Sequence, residues 1–133
     1  MQKVALIALG GALGTLARYW LTGVVQWVAE RLNVAPMPLG TLAVNLVGSV
    51  LIGVAMAYSA GPTVIAPQYR LALTIGLLGG FTTFSSFAYE TLALVNDRQF
   101  ALAWANVLLS NLLALGGAWA GYRLTQFGLG VGS

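Results

Sequence analysis

Apolar residues run along this chain in four long blocks, separated by short polar or proline-bearing stretches. The blocks cover about residues 4–29, 39–58, 71–95 and 101–124, each near the roughly 20 residues that a helix needs to cross the hydrocarbon core of a bilayer. The breaks between them are brief. Met37 lies between Pro36 and Pro38, Gly61-Pro62 and Pro67 punctuate the second connection, and Asn96-Asp97-Arg98 forms the third. The pattern predicts an all-α membrane protein: four transmembrane helices in a single domain over residues 1–133, with nothing left for a soluble domain and no internal repeat.

The third block departs from a plain span. Residues 76–87 read Gly-Leu-Leu-Gly-Gly-Phe-Thr-Thr-Phe-Ser-Ser-Phe. Adjacent glycines followed by hydroxyl side chains and phenylalanines predict a third helix broken mid-membrane. A break bares backbone N–H and C=O groups, which is tolerated at membrane depth only against protein or a water-filled path. It therefore marks an ion or substrate site.

Other polar positions line up at helical spacing. Thr41, Asn45 and Ser49 share a face of the second span, and Asn106 and Ser110 share one in the fourth, continued by Ala114. Two readings fit these rows: polar glue between helices, or a track of donors along a path. Phe84 and Phe87 lie three apart on one side of the third span. They are either packing residues or ring edges, electropositive at the rim, turned toward an anion. Thr82, Thr83, Ser85 and Ser86 add hydroxyl donors. Glu90 is the span acid, seven residues beyond the break. Arg18, far along the first block, either snorkels toward a vestibule or anchors to headgroups.

Composition narrows the chemistry. The 133 residues are 59% hydrophobic and 7% charged, far below the roughly 25% charged residues of soluble domains. The absence of Cys and His removes disulfides, thiolates, imidazole bases and most transition-metal sites. With no paired acids either, an enzyme is not expected. The basic balance comes from scattered cations rather than a run, so no nucleic acid partner is expected. The first block follows Met-Gln-Lys and is longer than a signal-peptide core, which predicts a retained first span. A cation path wants carboxylate rings or arrayed carbonyls; this inventory of neutral donors leans toward a small anion.

Charge gives little orientation. Lys3, Arg70 and Arg123 fall on the side of the termini, and Arg31 and Arg98, with Arg18 if it reaches that way, on the other. Such a small excess predicts insertion both ways, and thereby an antiparallel, dual-topology homodimer about a two-fold axis in the membrane plane. Gly10 with Gly14, and Gly117 with Gly121, are spaced for close helix approach and favour tight association.

With these residues in view, the chain resembles the Fluc (CrcB) family of fluoride channels over essentially its whole length. The resemblance rests on Gly10-Gly11, Gly14 and Arg18-Tyr19 in the first span, and on Gly40-Thr41, Asn45 and Gly48-Ser49 in the second. In the third it rests on Gly76, Gly79-Gly80, Thr82-Thr83-Phe84-Ser85-Ser86-Phe87 and Glu90. It implies a passive, fluoride-selective channel in the bacterial inner membrane that relieves fluoride toxicity, built as an antiparallel homodimer with two pores. Phe84 and Phe87 then form a box of ring edges and Asn45 donates to fluoride. Thr41, Thr83, Ser86, Asn106, Ser110 and Glu90 belong to the pore, and Arg18 to a vestibule. Backbone carbonyls of Gly79 and Thr82 hold a structural sodium ion at the dimer interface. Ser86 stands where threonine is more usual, Asn106 where tyrosine can occur and Ala114 where another serine can occur. The rivals are a small dual-topology multidrug or cation exporter, which wants an acid in the first span where residues 4–29 offer none, and an assembly subunit without a path.

Overall fold

The computed structural model describes residues 1–34, 36–60 and 65–130; the Gly61-Pro62 turn signal lies outside them. Among the described residues, four helical stretches are long and apolar enough to cross a membrane: Gln2–Arg31, Leu39–Ala60, Pro67–Asn96 and Phe100–Gly128. Each runs beyond its apolar block at one or both ends, because helical hydrogen bonding continues through interfacial residues such as Arg31 and Arg70 that hydropathy does not count.

Helix α1 (Gln2–Arg31) stops where Asn33 turns into the left-handed region at φ 48°, a conformation asparagine tolerates. The Asn33 and Val34 amides then donate to the carbonyls of Glu30 and Ala29, each at 3.1 Å, satisfying acceptors that the helix end would orphan. Arg31 folds back with its guanidinium 4.2 Å from the Trp27 ring centre, a cation–π contact. Helix α2 (Leu39–Ala60) begins directly after Pro38, and α3 (Pro67–Leu71) carries its proline at the first position, where no amide hydrogen is needed.

The third stretch is irregular. After α3 the backbone widens into a π-helix over Ala72–Leu78, tightens into one turn, α4 (Gly79–Phe81), and is extended at Thr82 (φ −79°, ψ 159°) and Thr83 (φ −151°, ψ 111°). Helix α5 (Phe84–Asn96) follows, then α6 (Phe100–Gly128).

Helix α2 packs most extensively on α6, and α1 on the π-helical segment and α4. Both crossings run backbone to backbone. A Cβ on Gly10 would lie 2.7 Å from the Ala72 carbonyl oxygen, one on Gly80 2.6 Å from that of Gly11, and one on Gly121 would strike the Val50 carbonyl. The two glycine pairs that the spacing assigned to association thus make contacts within the chain, holding α1 to the third stretch and α2 to α6. Large apolar side chains such as Leu13, Trp20, Leu112 and Trp119 are exposed, as expected of helices whose outer faces meet lipid rather than water.

Candidate functional site

Thr83 is the pivot of the irregular region. An extended residue between two helices has no helical partner for its amide or its carbonyl. Both are bonded by one side chain from α2: the Thr83 N–H donates to Asn45 Oδ1 at 2.8 Å, and Asn45 Nδ2 donates to the Thr83 carbonyl at 3.0 Å. Asn45 acts here as a backbone mimic. Thr83 also caps α5, since its Oγ1 accepts from the Ser86 amide at 3.2 Å and donates to Ser86 Oγ at 3.0 Å. This is N-cap chemistry with a hydroxyl at the third helical position. One residue earlier, Thr82 Oγ1 donates back to the Leu78 carbonyl at 3.0 Å, and Arg18 Nη1 lies 3.5 Å from the Thr82 carbonyl oxygen. Arg18 thus reaches from α1 to the interruption.

A groove of about 330 Å³ opens beside this pivot. It takes Asn45 from α2, Gly79, Thr82 and Thr83 from the third stretch, Phe84 and Phe87 from α5, and Ser110 from α6. Most of the residues singled out in the sequence are thus brought to one place. The two phenylalanine rings are 5.2 Å apart, centre to centre, and tilted by 51°. They differ in burial: Phe87 is 8% exposed, whereas Phe84 is 75% exposed and meets little of its own chain.

Thr41 and Glu90 sit apart from that groove, in a second cavity of about 390 Å³ toward the α1–α2 connection, which Gln26, Asp97 and Gln99 also line. Thr41 Oγ1 donates to Glu90 Oε1 at 2.7 Å. Glu90 Oε2 is buried and has no hydrogen-bond partner among the described residues. The two cavities are bordered by the same pair of helices, α2 and α5. Thr41 and Asn45 are one turn apart on α2, and Phe87 and Glu90 are neighbours on one face of α5.

Asn106 borders neither cavity. It is 1% exposed and ties α6 to α5, with Nδ2 donating to Thr91 Oγ1 at 2.9 Å while Oδ1 accepts from Ser110 Oγ at 3.3 Å. Thr91 in turn donates to the Phe87 carbonyl at 2.7 Å. Thr91 is a member of this network that the sequence reading missed; its signal was a hydroxyl four residues after Phe87. Asn111, also missed as a site residue, borders the first groove together with Ser49. Ser86 serves the α5 cap and borders neither cavity.

Among the described residues no group of three or more His, Asp or Glu converges, so any cation here would rest on other oxygens. The interruption supplies them. Redirecting the Thr83 amide to Asn45 frees the Gly79 carbonyl of its helical partner, and Gly79 is exposed. Uncharged carbonyl oxygens of this kind suit a hard monovalent cation, although Arg18 already approaches one lone pair of the Thr82 oxygen.

Four apolar spans enclosing grooves lined by neutral donors define a multi-pass membrane protein of the transport class. The profile of the family described as CrcB-like protein, Camphor Resistance (CrcB), matches residues 5–122, and the chain belongs to that family. It is 46% identical over 127 residues to the fluoride-specific ion channel FluC of Geotalea daltonii, covering 96% of this chain and 99% of the relative. It is 49% identical over 121 residues to that of Geobacter sulfurreducens, covering 91% and 94%.

Proposed function

We propose that this protein is a passive, fluoride-selective channel that lets fluoride leave the cell down its gradient. The observation that carries the reading is the groove at Thr83: hydroxyl and amide groups and two phenylalanine rings meet there, in a chain closely similar to fluoride-specific channels. Fluoride is small and strongly hydrated, so a path must replace its water shell at close range. Neutral donors and ring edges do this without a fixed charge that would trap the ion.

The reading includes a dimer. Phe84 and Gly79 are exposed on a single chain, and an antiparallel second copy inserted in the opposite orientation would cover them. In that assembly the interruption at Thr82-Thr83 lies at membrane depth. Carbonyls of Gly79 and Thr82 from both copies would hold a sodium ion, which when bound supplies positive charge on the symmetry axis. The exporter alternative is not favoured: α1 offers no acid in residues 4–29, and the relatives carry the fluoride-channel name.

The test is efflux from liposomes reconstituted with purified protein and loaded with fluoride or chloride. Rapid fluoride release with chloride retained is expected. Equal release of both, or none above protein-free liposomes, refutes the proposal.

A further inference from the structure

A neutral path for an anion works only with protons that are free to point at the ion. Each hydroxyl has one proton, so one already given to the protein is not available without breaking a bond. In the groove beside Thr83, most hydroxyls are committed. Thr74 donates to the Arg70 carbonyl at 2.8 Å and Thr82 to the Leu78 carbonyl at 3.0 Å. Thr83 donates to Ser86 Oγ at 3.0 Å and Ser110 to Asn106 Oδ1 at 3.3 Å. The side-chain protons left over are few. Asn45 has a second amide hydrogen beyond the one on the Thr83 carbonyl. Ser49 makes no side-chain hydrogen bond among the described residues. Asn111 gives one amide hydrogen to the Val107 carbonyl at 2.7 Å and keeps the other.

We propose that Asn111 is a fluoride-ligating residue of this channel, its free amide hydrogen acting with the Ser49 hydroxyl on the ion as it passes Asn45. Three features support this. Asn111 is exposed in the middle of an apolar helix, where an amide needs a polar partner. Its bond to Val107 holds the side chain along α6, so the remaining hydrogen is held in one direction rather than freely rotating. It borders the same groove as Asn45, Ser49 and Phe84. Asn45 stands on α2 and Asn111 on α6, so the two amides reach the groove from different helices. The proposal rests on the fluoride-channel reading above.

The experiment reconstitutes the full chain and its Asn111→Leu, Asn111→Asp, Asn111→Gln and Ser49→Ala variants, and measures fluoride efflux at several fluoride concentrations against the amount of assembled protein. Losing one hydrogen bond to a charged species corresponds to roughly a tenfold effect or more. Asn111→Leu and the near-isosteric Asn111→Asp, which both remove the donor, are expected to cut flux per assembled channel by about tenfold or more. Asn111→Gln, which keeps it, is expected to stay within a few-fold of the parent, and Ser49→Ala to fall between. Flux per assembled channel unchanged in both Asn111→Leu and Asn111→Asp overturns the proposal, as does flux that falls only in step with lost assembly, which would make Asn111 a packing residue. A parent protein that releases no fluoride refutes the channel reading itself, a different result from a conducting parent with conducting variants.

Discussion

Asn45 and Thr83 are joined by two hydrogen bonds, the Thr83 amide to Asn45 Oδ1 at 2.8 Å and Asn45 Nδ2 to the Thr83 carbonyl at 3.0 Å. An asparagine side chain thereby replaces the helical partners that an extended residue loses, so the backbone can deviate without leaving a buried amide or carbonyl unpaired. Asparagine presents a donor and an acceptor side by side, and few other side chains can do the same.

Asn45→Asp keeps the shape and removes both donors. An ionised carboxylate would still accept from the Thr83 amide, but its other oxygen would face the Thr83 carbonyl and repel both it and an anion. We expect fluoride efflux to fall to background and folding stability to drop by about 1–3 kcal/mol. Liposome efflux and thermal denaturation in detergent measure the two. Parental flux at neutral pH would show that Asn45 lies off the path.

Phe84 and Phe87 are expected to separate function from stability. Phe87 is 8% exposed and Phe84 75%. Phe87→Ile therefore removes packed ring surface and should cost about 1–3 kcal/mol, whereas Phe84→Ile should leave the stability of the single chain nearly unchanged. If the ring edges contact the ion, both substitutions abolish or sharply cut fluoride flux. Undiminished flux in both would remove that role while leaving the pair as packing residues.

Much of the site was legible in the sequence, because a bilayer leaves few reasons for polar residues inside a span. Thr41, Asn45 and Ser49 stood out by spacing alone, and residues 76–87 by their glycines and hydroxyls. Three things were not legible. The π-helix at Ala72–Leu78 adds one residue to a turn in a segment that is apolar but for Thr74, so periodicity has almost nothing to register. The partners of Gly10 and Gly121 were open, since small-residue spacing says that backbones approach but not whose. Which side-chain protons are spent inside the chain depends on rotamers, and that separates Asn106, buried in a network with Thr91, from Asn111, which keeps a free amide hydrogen.

The glycine contacts give a stability prediction with an internal control. A side chain at Gly80 would collide with the Gly11 backbone, and one at Gly14 with the Leu77 carbonyl, whereas nothing lies within 4 Å of a Cβ at Gly23. Backbone cannot yield as a flexible side chain can. Gly80→Val and Gly14→Leu are therefore expected to destabilise by more than about 2 kcal/mol. Gly23→Ala should be neutral or raise stability by up to about 1 kcal/mol through helix propensity. Chemical denaturation in detergent compares the three, and equal stability throughout would mean that α1 and the third stretch do not cross at these glycines.

Thr91 carries the last prediction. Its hydroxyl gives its proton to the Phe87 carbonyl and accepts from Asn106 Nδ2, while Asn106 Oδ1 accepts from Ser110. Thr91 thus connects a ring-bearing residue of α5 to the polar row of α6. Thr91→Val keeps the volume but leaves a donor of Asn106, itself 1% exposed, without a partner. An unsatisfied buried donor costs about 1–3 kcal/mol. Thr91→Ser retains the hydroxyl and should lose less. If the row also sets the position of Phe87, Thr91→Val reduces fluoride flux per assembled channel while Thr91→Ser does not. A Thr91→Val protein that is destabilised yet conducts normally would make the row a clamp between helices and no part of the ion's route.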